Sequence, residues 1–362
     1  MRTLLGALVL TLAIPLSVSS VAAAHTPRAA EVTDPATWKW QKTKVDADQS
    51  FRGLDAVNKR VAWIAGENAT DDGGPGTVYR TTDGGKTWQD VSPKVKADLA
   101  FRDVEAQNAR VASILAIGPG KASRIYRTTD GGRTWTKTFQ NRSEKAFYNC
   151  IDFYPGGRNG LGVSDPVKGK FRIIRTTDRG RSWSVLKRAD MPAAFEGEFN
   201  FAASGTCLTI IDRHAYMASG GAASRIYHSR DKGDSWDVVS STIPATDAGG
   251  VFSLAFKKRT MGVAVGGDFE QPDNGVDASS YTRNGHTWRE GGDLGGYRSG
   301  SSWLDGTRRT FLAVGPSGSD VTTDGGRSWT TWSRTGYHSV VCVRGGCWAS
   351  GSEGRTAWVA TR

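Results

Sequence analysis

Short apolar runs bounded by glycine, asparagine or aspartate follow one another along most of this chain. In the first full set, residues 51–57 predict a strand, Asn58-Lys59-Arg60 a turn and residues 61–66 a second strand. A loop then runs through Asp71-Asp72-Gly73-Gly74, and residues 77–82 and 87–91 predict a third and fourth strand. No stretch carries the sustained 3.6-residue periodicity of a substantial helix. The elements are therefore short strands in antiparallel order.

The hairpin between the third and fourth strands recurs. Thr81-Thr82-Asp83-Gly84-Gly85-Lys86-Thr87-Trp88 returns almost unchanged at 128–135, more weakly at 176–183, 229–236 and 322–329, and in degenerate form ending Asn284-Gly285-His286-Thr287-Trp288. Its pattern, Ser/Thr-x-Asp-x-Gly-x-Ser/Thr-Trp, is called the box below. Glycine supplies the positive φ that a short hairpin loop needs, and the aspartate can accept backbone N–H groups inside the turn. A structural role is therefore assigned to Asp83, Trp88, Asp130, Trp135, Asp178, Trp183, Asp231, Trp236, Asp324 and Trp329.

The box tryptophans fall at 88, 135, 183, 236, 288 and 329, a spacing of 41 to 53 residues that suits one four-stranded propeller blade. After Trp329 the chain offers three strands, near 338–343, 347–350 and 355–359, and before the first blade it offers one, near 37–43. Joining them makes a seventh blade and hides both sheet edges. The expectation is an all-β, seven-bladed β-propeller whose last blade combines three C-terminal strands with one N-terminal strand. A signal peptide is expected at 1–24, a flexible segment at 25–36 and one propeller domain at 37–362. Arg2, the apolar run 4–16 and Ala22-Ala23-Ala24 carry the signal-peptide reading. A secreted, extracellular or periplasmic location follows, with no transmembrane segment in the mature chain.

Composition adds constraints of other kinds. Forty-five glycines and 13 tryptophans in 362 residues suit tight turns and packed short strands. Four cysteines in an exported chain suit disulfides. Cys342 and Cys347 flank Val-Arg-Gly-Gly, a tight hairpin that brings the thiols within bridging range, which leaves Cys150 and Cys207 as a pair by exclusion. No His/Cys spacing suits zinc, and the five histidines are dispersed, with His228 and His286 expected at the surface. No metal and no cofactor are expected. The net charge of +11 favours anionic surfaces. The export signal and the lack of a base-stacking motif argue against nucleic acid.

The box resembles the Asp-box, or BNR repeat, of sialidases, sortilin-type receptors and several glycoside hydrolases, in which it is a folding element remote from catalysis. Phe51-Arg52-Gly53-Leu54 fails the Phe-Arg-Ile-Pro motif that a sialidase would need. Outside the boxes, Ser164-Asp165-Pro166, Phe201-Ala202-Ala203-Ser204-Gly205, Gly250-Val251-Phe252-Ser253, Gly266-Gly267-Asp268, Gly296-Tyr297-Arg298-Ser299 and Gly315-Pro316-Ser317-Gly318-Ser319-Asp320 are similar to secreted bacterial proteins related to the photosystem II stability/assembly factor family. That resemblance implies a propeller that binds protein partners.

Propeller topology sorts the charges. Turns between strands one and two share a face with the box hairpins, and this box face receives Lys257, Lys258, Arg259, Arg308 and Arg309 among many cations. The opposite face receives the carboxylates. The expectation is a bipolar disc that docks its basic face on an anionic surface, with a ligand site at the acidic channel mouth formed by Asp165, Glu198, Asp268, Tyr297, Arg298 and Asp320. The function expected is a non-enzymatic binding or assembly module, acting as a monomer on a protein, an envelope polymer or a glycan. The alternative is a glycoside hydrolase or lyase using opposed carboxylates at that mouth. No catalytic residue is assigned.

Overall fold

Thr81, Thr128, Thr176, Ser229, Thr282 and Thr322, the first residues of the six boxes, each end the third strand of an antiparallel four-stranded blade in the computed structural model, and the sheet of the fifth is extended at its inner edge by the short strands Gly220–Gly221 and Glu198–Phe199. The structure describes residues 33–70, 74–186 and 190–362. Blade 1 comprises Gln49–Ala56, Ala62–Asn68, Val78–Thr81 and Gln89–Asp90, innermost strand first. Blade 2 comprises Ala100–Ala106, Ala112–Ile117, Arg124–Thr128 and Thr136–Gln140. Blade 3 comprises Tyr148–Phe153, Gly160–Pro166, Phe171–Thr176 and Ser184–Val185, and blade 4 Leu208–Ile211, His214–Ala218, Arg225–Ser229 and Asp237–Ser240. Blade 5 comprises Gly249–Lys258, Met261–Asp268, Ser279–Thr282 and Trp288–Glu290, and blade 6 Gly300–Trp303, Phe311–Gly315, Gly318–Thr322 and Thr330–Ser333.

Blade 7 closes the ring. Its inner strands are Ser339–Val343, Gly346–Ser350 and Arg355–Ala360, and its outermost strand is the N-terminal Gln41–Lys44, with Gln41 opposite Trp358 and Lys44 opposite Arg355. The fold is thus a seven-bladed, all-β propeller. The N-terminal strand starts later than the expected residue 37, because Asp34 accepts the Ala36 N–H and caps a 3-10 turn at Pro35–Thr37. Trp38 and Trp40 then turn inward and pack against Trp332. The expected signal peptide and residues 25–32 lie outside the described residues. Of the segment that precedes the propeller, Thr33 donates its N–H to the Thr361 carbonyl at 3.0 Å.

The core lies mostly between blades. The Trp135 ring packs on Trp63 of the preceding blade and its Nε1 donates to the Val91 carbonyl at 2.6 Å. Arginines in or just after third strands tie three blades to the next: Arg80 to the Ala109 carbonyl, Arg127 to that of Arg179 and Arg283 to that of Asp324. Both cysteine pairs are joined, Cys150 to Cys207 across blades 3 and 4 and Cys342 to Cys347 within one hairpin. Blade 4 also corrects one expectation. His228 is buried, because it lies opposite Tyr216 in the sheet, stacks on that ring and meets His214 at 2.8 Å.

Candidate functional site

Each box is closed on itself. In the first, the Thr81 hydroxyl donates to Asp83 and accepts the Gly85 N–H, while Asp83 accepts both the N–H and the hydroxyl of Thr87. The same four bonds recur around Asp130, Asp178, Asp231 and Asp324. The Thr87 hydroxyl and N–H hold the Asp83 carboxyl down at about 2. Gly84 and Gly85 sit at φ +85° and +80°, where a side chain would be strained. The hairpins also rest on the turns between strands one and two: Gly84 N–H donates to the Arg60 carbonyl, Gly131 to Arg110 and Arg179 to Arg158. All these turns therefore share one face.

At the other face, the carboxylates expected to meet a ligand are held by the protein. Asp320 and Arg298, both fully buried, pair at 2.6 Å, and Asp320 also accepts from the Thr331 hydroxyl and the Gly295 N–H. Glu198 is buried against Arg225, with Ser219 and Tyr227 donating to the same carboxylate. Asp165 accepts from Asn149 Nδ2 and the Asn200 N–H, and burial pushes it up to about 6. Asp268 accepts from the Thr246 hydroxyl and the Glu270 N–H. These contacts tie the four carboxylates to neighbouring side chains and backbone N–H groups and so brace the loops that carry them.

Of the six, Tyr297 lines a cavity at this face. This cavity, of about 310 Å³, is walled by Arg52, Arg102, Phe201, Ala202, Ala203, Phe252, Phe269, Tyr297, Pro316 and His338. Four of the segments singled out in the sequence converge on it: 201–205 by its first three residues, 250–253 by Phe252, 296–299 by Tyr297 and 315–320 by Pro316. Phe201 stacks on Phe252 with centroids 3.7 Å apart, and Tyr297 meets Phe252 edge-on at 4.7 Å. Phe269 stands at the rim, edge-on to both phenylalanines and 49% exposed.

The polar side of this cavity carries positive charge. Arg102 grips Glu67 through two nitrogens, whereas Arg52 Nε reaches Glu67 only at 3.7 Å, beyond hydrogen bonding. Burial, and then the neighbouring Arg102, lower the Arg52 pKa. Burial and both guanidiniums hold His338 well below its ordinary value, so the imidazole is neutral at pH 7. Two guanidiniums and one carboxylate leave one positive charge beside an aromatic wall. A cavity of this charge and lining is chemically complementary to an anionic group flanked by apolar surface.

The segment 201–205 is also a partition. It crosses the channel: the Ala202 carbonyl accepts from Arg102, the Ser204 carbonyl from the Ser339 hydroxyl, and the hydroxyls of Ser204, Thr206, Ser253 and Ser301 form a chain. Gly205, at φ +81°, passes so close to Asp103 that a Cβ would lie 2.3 Å from its carboxylate. Beyond the partition, a second cavity of about 300 Å³ is lined by Asp55, Asp103, Glu105 and Asp152. Burial pushes all four carboxyls up, Asp55 to about 6 and Asp103 to about 7. Asp55 and Asp152 accept the Ala106 and Ile210 N–H groups of a neighbouring blade or connection.

The axis thus reverses the charge order expected from the turns, with guanidiniums at the mouth and carboxyls towards the box face. A periodic signal for this was present in the sequence. Phe51-Arg52 and Phe101-Arg102 occupy the same place in blades 1 and 2, and Asp55, Glu105 and Asp152 follow Arg52, Arg102 and Asn149 by three residues each.

No family profile matches the sequence. No curated protein sequence matches it either. Solved structures do. "YCF48 bound to D1 peptide" superposes with a TM-score of 0.60 at 15% identity, covering 91% of this chain and 98% of that one. YCF48 from Cyanidioschyzon merolae gives 0.59 at 15% identity, covering 89% and 98%. The WD40 propeller domain of Doa1 gives 0.57 at 12% identity, covering 90% and 98%. At these identities the likeness is one of fold, and the fold this chain shares with them is the β-propeller.

Proposed function

We propose that this protein is an exported, non-enzymatic binding and assembly module that holds an acidic peptide segment of an envelope or extracellular protein partner at the channel mouth. The observation that carries the reading is the cavity in which Arg52 and Arg102 share the single carboxylate of Glu67 beside Phe201, Phe252 and the exposed Phe269. A protein partner is in keeping with the similar fold of YCF48 bound to D1 peptide. Export is in keeping with two disulfides, and among the described residues no helix is long and apolar enough to cross a membrane. Membership of the group related to photosystem II stability/assembly factors is part of the same proposal, resting on the converging segments. Asp165, Glu198, Asp268, Arg298 and Asp320 act here as braces around the mouth, and Tyr297 as part of its wall.

The test is selection from a displayed library of short random peptides. Enriched sequences should combine a carboxylate with neighbouring apolar side chains, and Phe269→Ser should abolish their binding. Failure to enrich such sequences, or full binding by the Phe269→Ser protein, rejects the site. In a parallel glycan depolymerisation assay, turnover lost in Glu198→Gln or Asp268→Asn would establish the hydrolase reading instead.

A further inference from the structure

The box face carries a second, larger concavity. A cleft of about 870 Å³ lies where blades 6, 7 and 1 meet, and Lys59, Arg344 and Arg362 are the cations among its lining residues. Asp305 is the one carboxylate among them. Trp303, Trp358, Val343 and Cys342 supply apolar surface. Lys257 reaches in from blade 5: its Nζ donates to the Thr307 and Arg308 carbonyls and lies 5.6 Å from the centre of the Trp303 ring. Lys258, Arg259, Arg308 and Arg309 are exposed on the same two blades. Two buried donors on lining residues, Trp303 Nε1 and Arg362 Nε, have no acceptor among the described residues.

We propose that this cleft binds a linear anionic polysaccharide, with sugar rings against the indoles of Trp303 and Trp358 and acidic groups on Lys59 and Arg344. Sugar rings present an apolar C–H face that matches indole surface, and their acidic groups accept charge-assisted hydrogen bonds from the cations beside it. Cations at the edge of the cleft attract the polymer over a distance and make its retention depend on salt. A lipid surface fits less well, because it asks for protruding apolar side chains on the docking face. The large exposed apolar residues among those described are Phe195, Phe269 and Val276, in connections away from the box hairpins, and Val185 on the outermost strand of blade 3. This site is independent of the channel mouth, which lies at the opposite end of the innermost strands.

The full chain is titrated with polygalacturonate and with dextran sulfate, following tryptophan fluorescence at low and high salt. Neutral dextran, phosphatidylglycerol vesicles and polyglutamate are run beside them. Binding of at least one acidic polysaccharide is expected, weakened by salt, with dextran silent and vesicles and polyglutamate weaker. Lys59→Glu with Arg344→Glu should weaken it about tenfold or more, and Arg133→Glu with Arg181→Glu, the same charge change on blades 2 and 3, less than about threefold. Thermal melts and peptide binding at the mouth report whether each variant is folded, and Lys59→Ala with Arg344→Ala serves if the reversal is not. No binding of either acidic polysaccharide, equal losses in both double variants, or preferential binding of vesicles or polyglutamate overturns the proposal.

Discussion

The two ends of the channel solve the same problem, a charged group placed inside a propeller, in opposite ways. At the mouth the groups are guanidiniums, which stay charged at any working pH, so Glu67 is recruited between Arg52 and Arg102. Towards the box face the groups are carboxyls, and no cation pairs with Asp55, Asp103, Glu105 or Asp152 among the described residues. A carboxyl can take up a proton when desolvation makes its anion costly, and all four are pushed up by burial. One end therefore keeps a permanent positive charge, while the other tends towards neutrality. The crossing segment 201–205 keeps the two apart.

The largest effect should come from a brace at the mouth. Asp320→Ala leaves Arg298 charged and buried, and urea denaturation should show a loss of about 3–5 kcal/mol. A loss below about 1 kcal/mol would mean that the pair is not a structural brace. Next in size is the anchor of the partition. The Cys150–Cys207 bridge spans 57 residues and the Cys342–Cys347 bridge spans 5. Chain entropy assigns them about 4 and about 2 kcal/mol, so Cys150→Ser with Cys207→Ser should be the more damaging change by urea midpoint.

The box-face end is tested by pH. A carboxyl whose folded pKa is raised binds its proton more tightly in the folded state, so its contribution is fully present below the ordinary carboxylate range near 4. That contribution is lost as pH rises through about 6 to 7, the values for Asp55 and Asp103. Glu105→Gln should therefore raise the Tm at pH 8 by roughly 2 °C or more and leave it nearly unchanged at pH 4. An equal shift at both pH values would break the contrast between the two ends. The smallest effect on stability belongs to Phe269→Ser, within about 0.5 kcal/mol because the ring is half exposed, although peptide binding should be lost.

Much of the architecture is legible in the sequence. The box spacing dictates the blade count, and the unpaired strands at the two ends dictate how the ring closes, because an antiparallel sheet that leaves edges open is unstable against pairing. The pairing of Cys342 with Cys347 follows from sequence, because one hairpin turn separates them. The self-contained hydrogen bonding of each box involves residues two and four apart and is local information.

Tertiary structure alone decided which groups line the channel. Arg52, Arg102, Phe201, Phe252 and His338 come from five places between residues 52 and 338 and meet only because the ring closes. Charge at a turn is read directly from sequence, since turns face water. Charge on an innermost strand is governed by what stands across the axis, and there the order of signs was reversed. Whether a carboxylate such as Glu198 or Asp320 is free or held depends on long-range partners, Arg225 for the one and Arg298 for the other. Local spacing specifies hairpins and blades, whereas the pairing of buried charges is settled by packing across the ring.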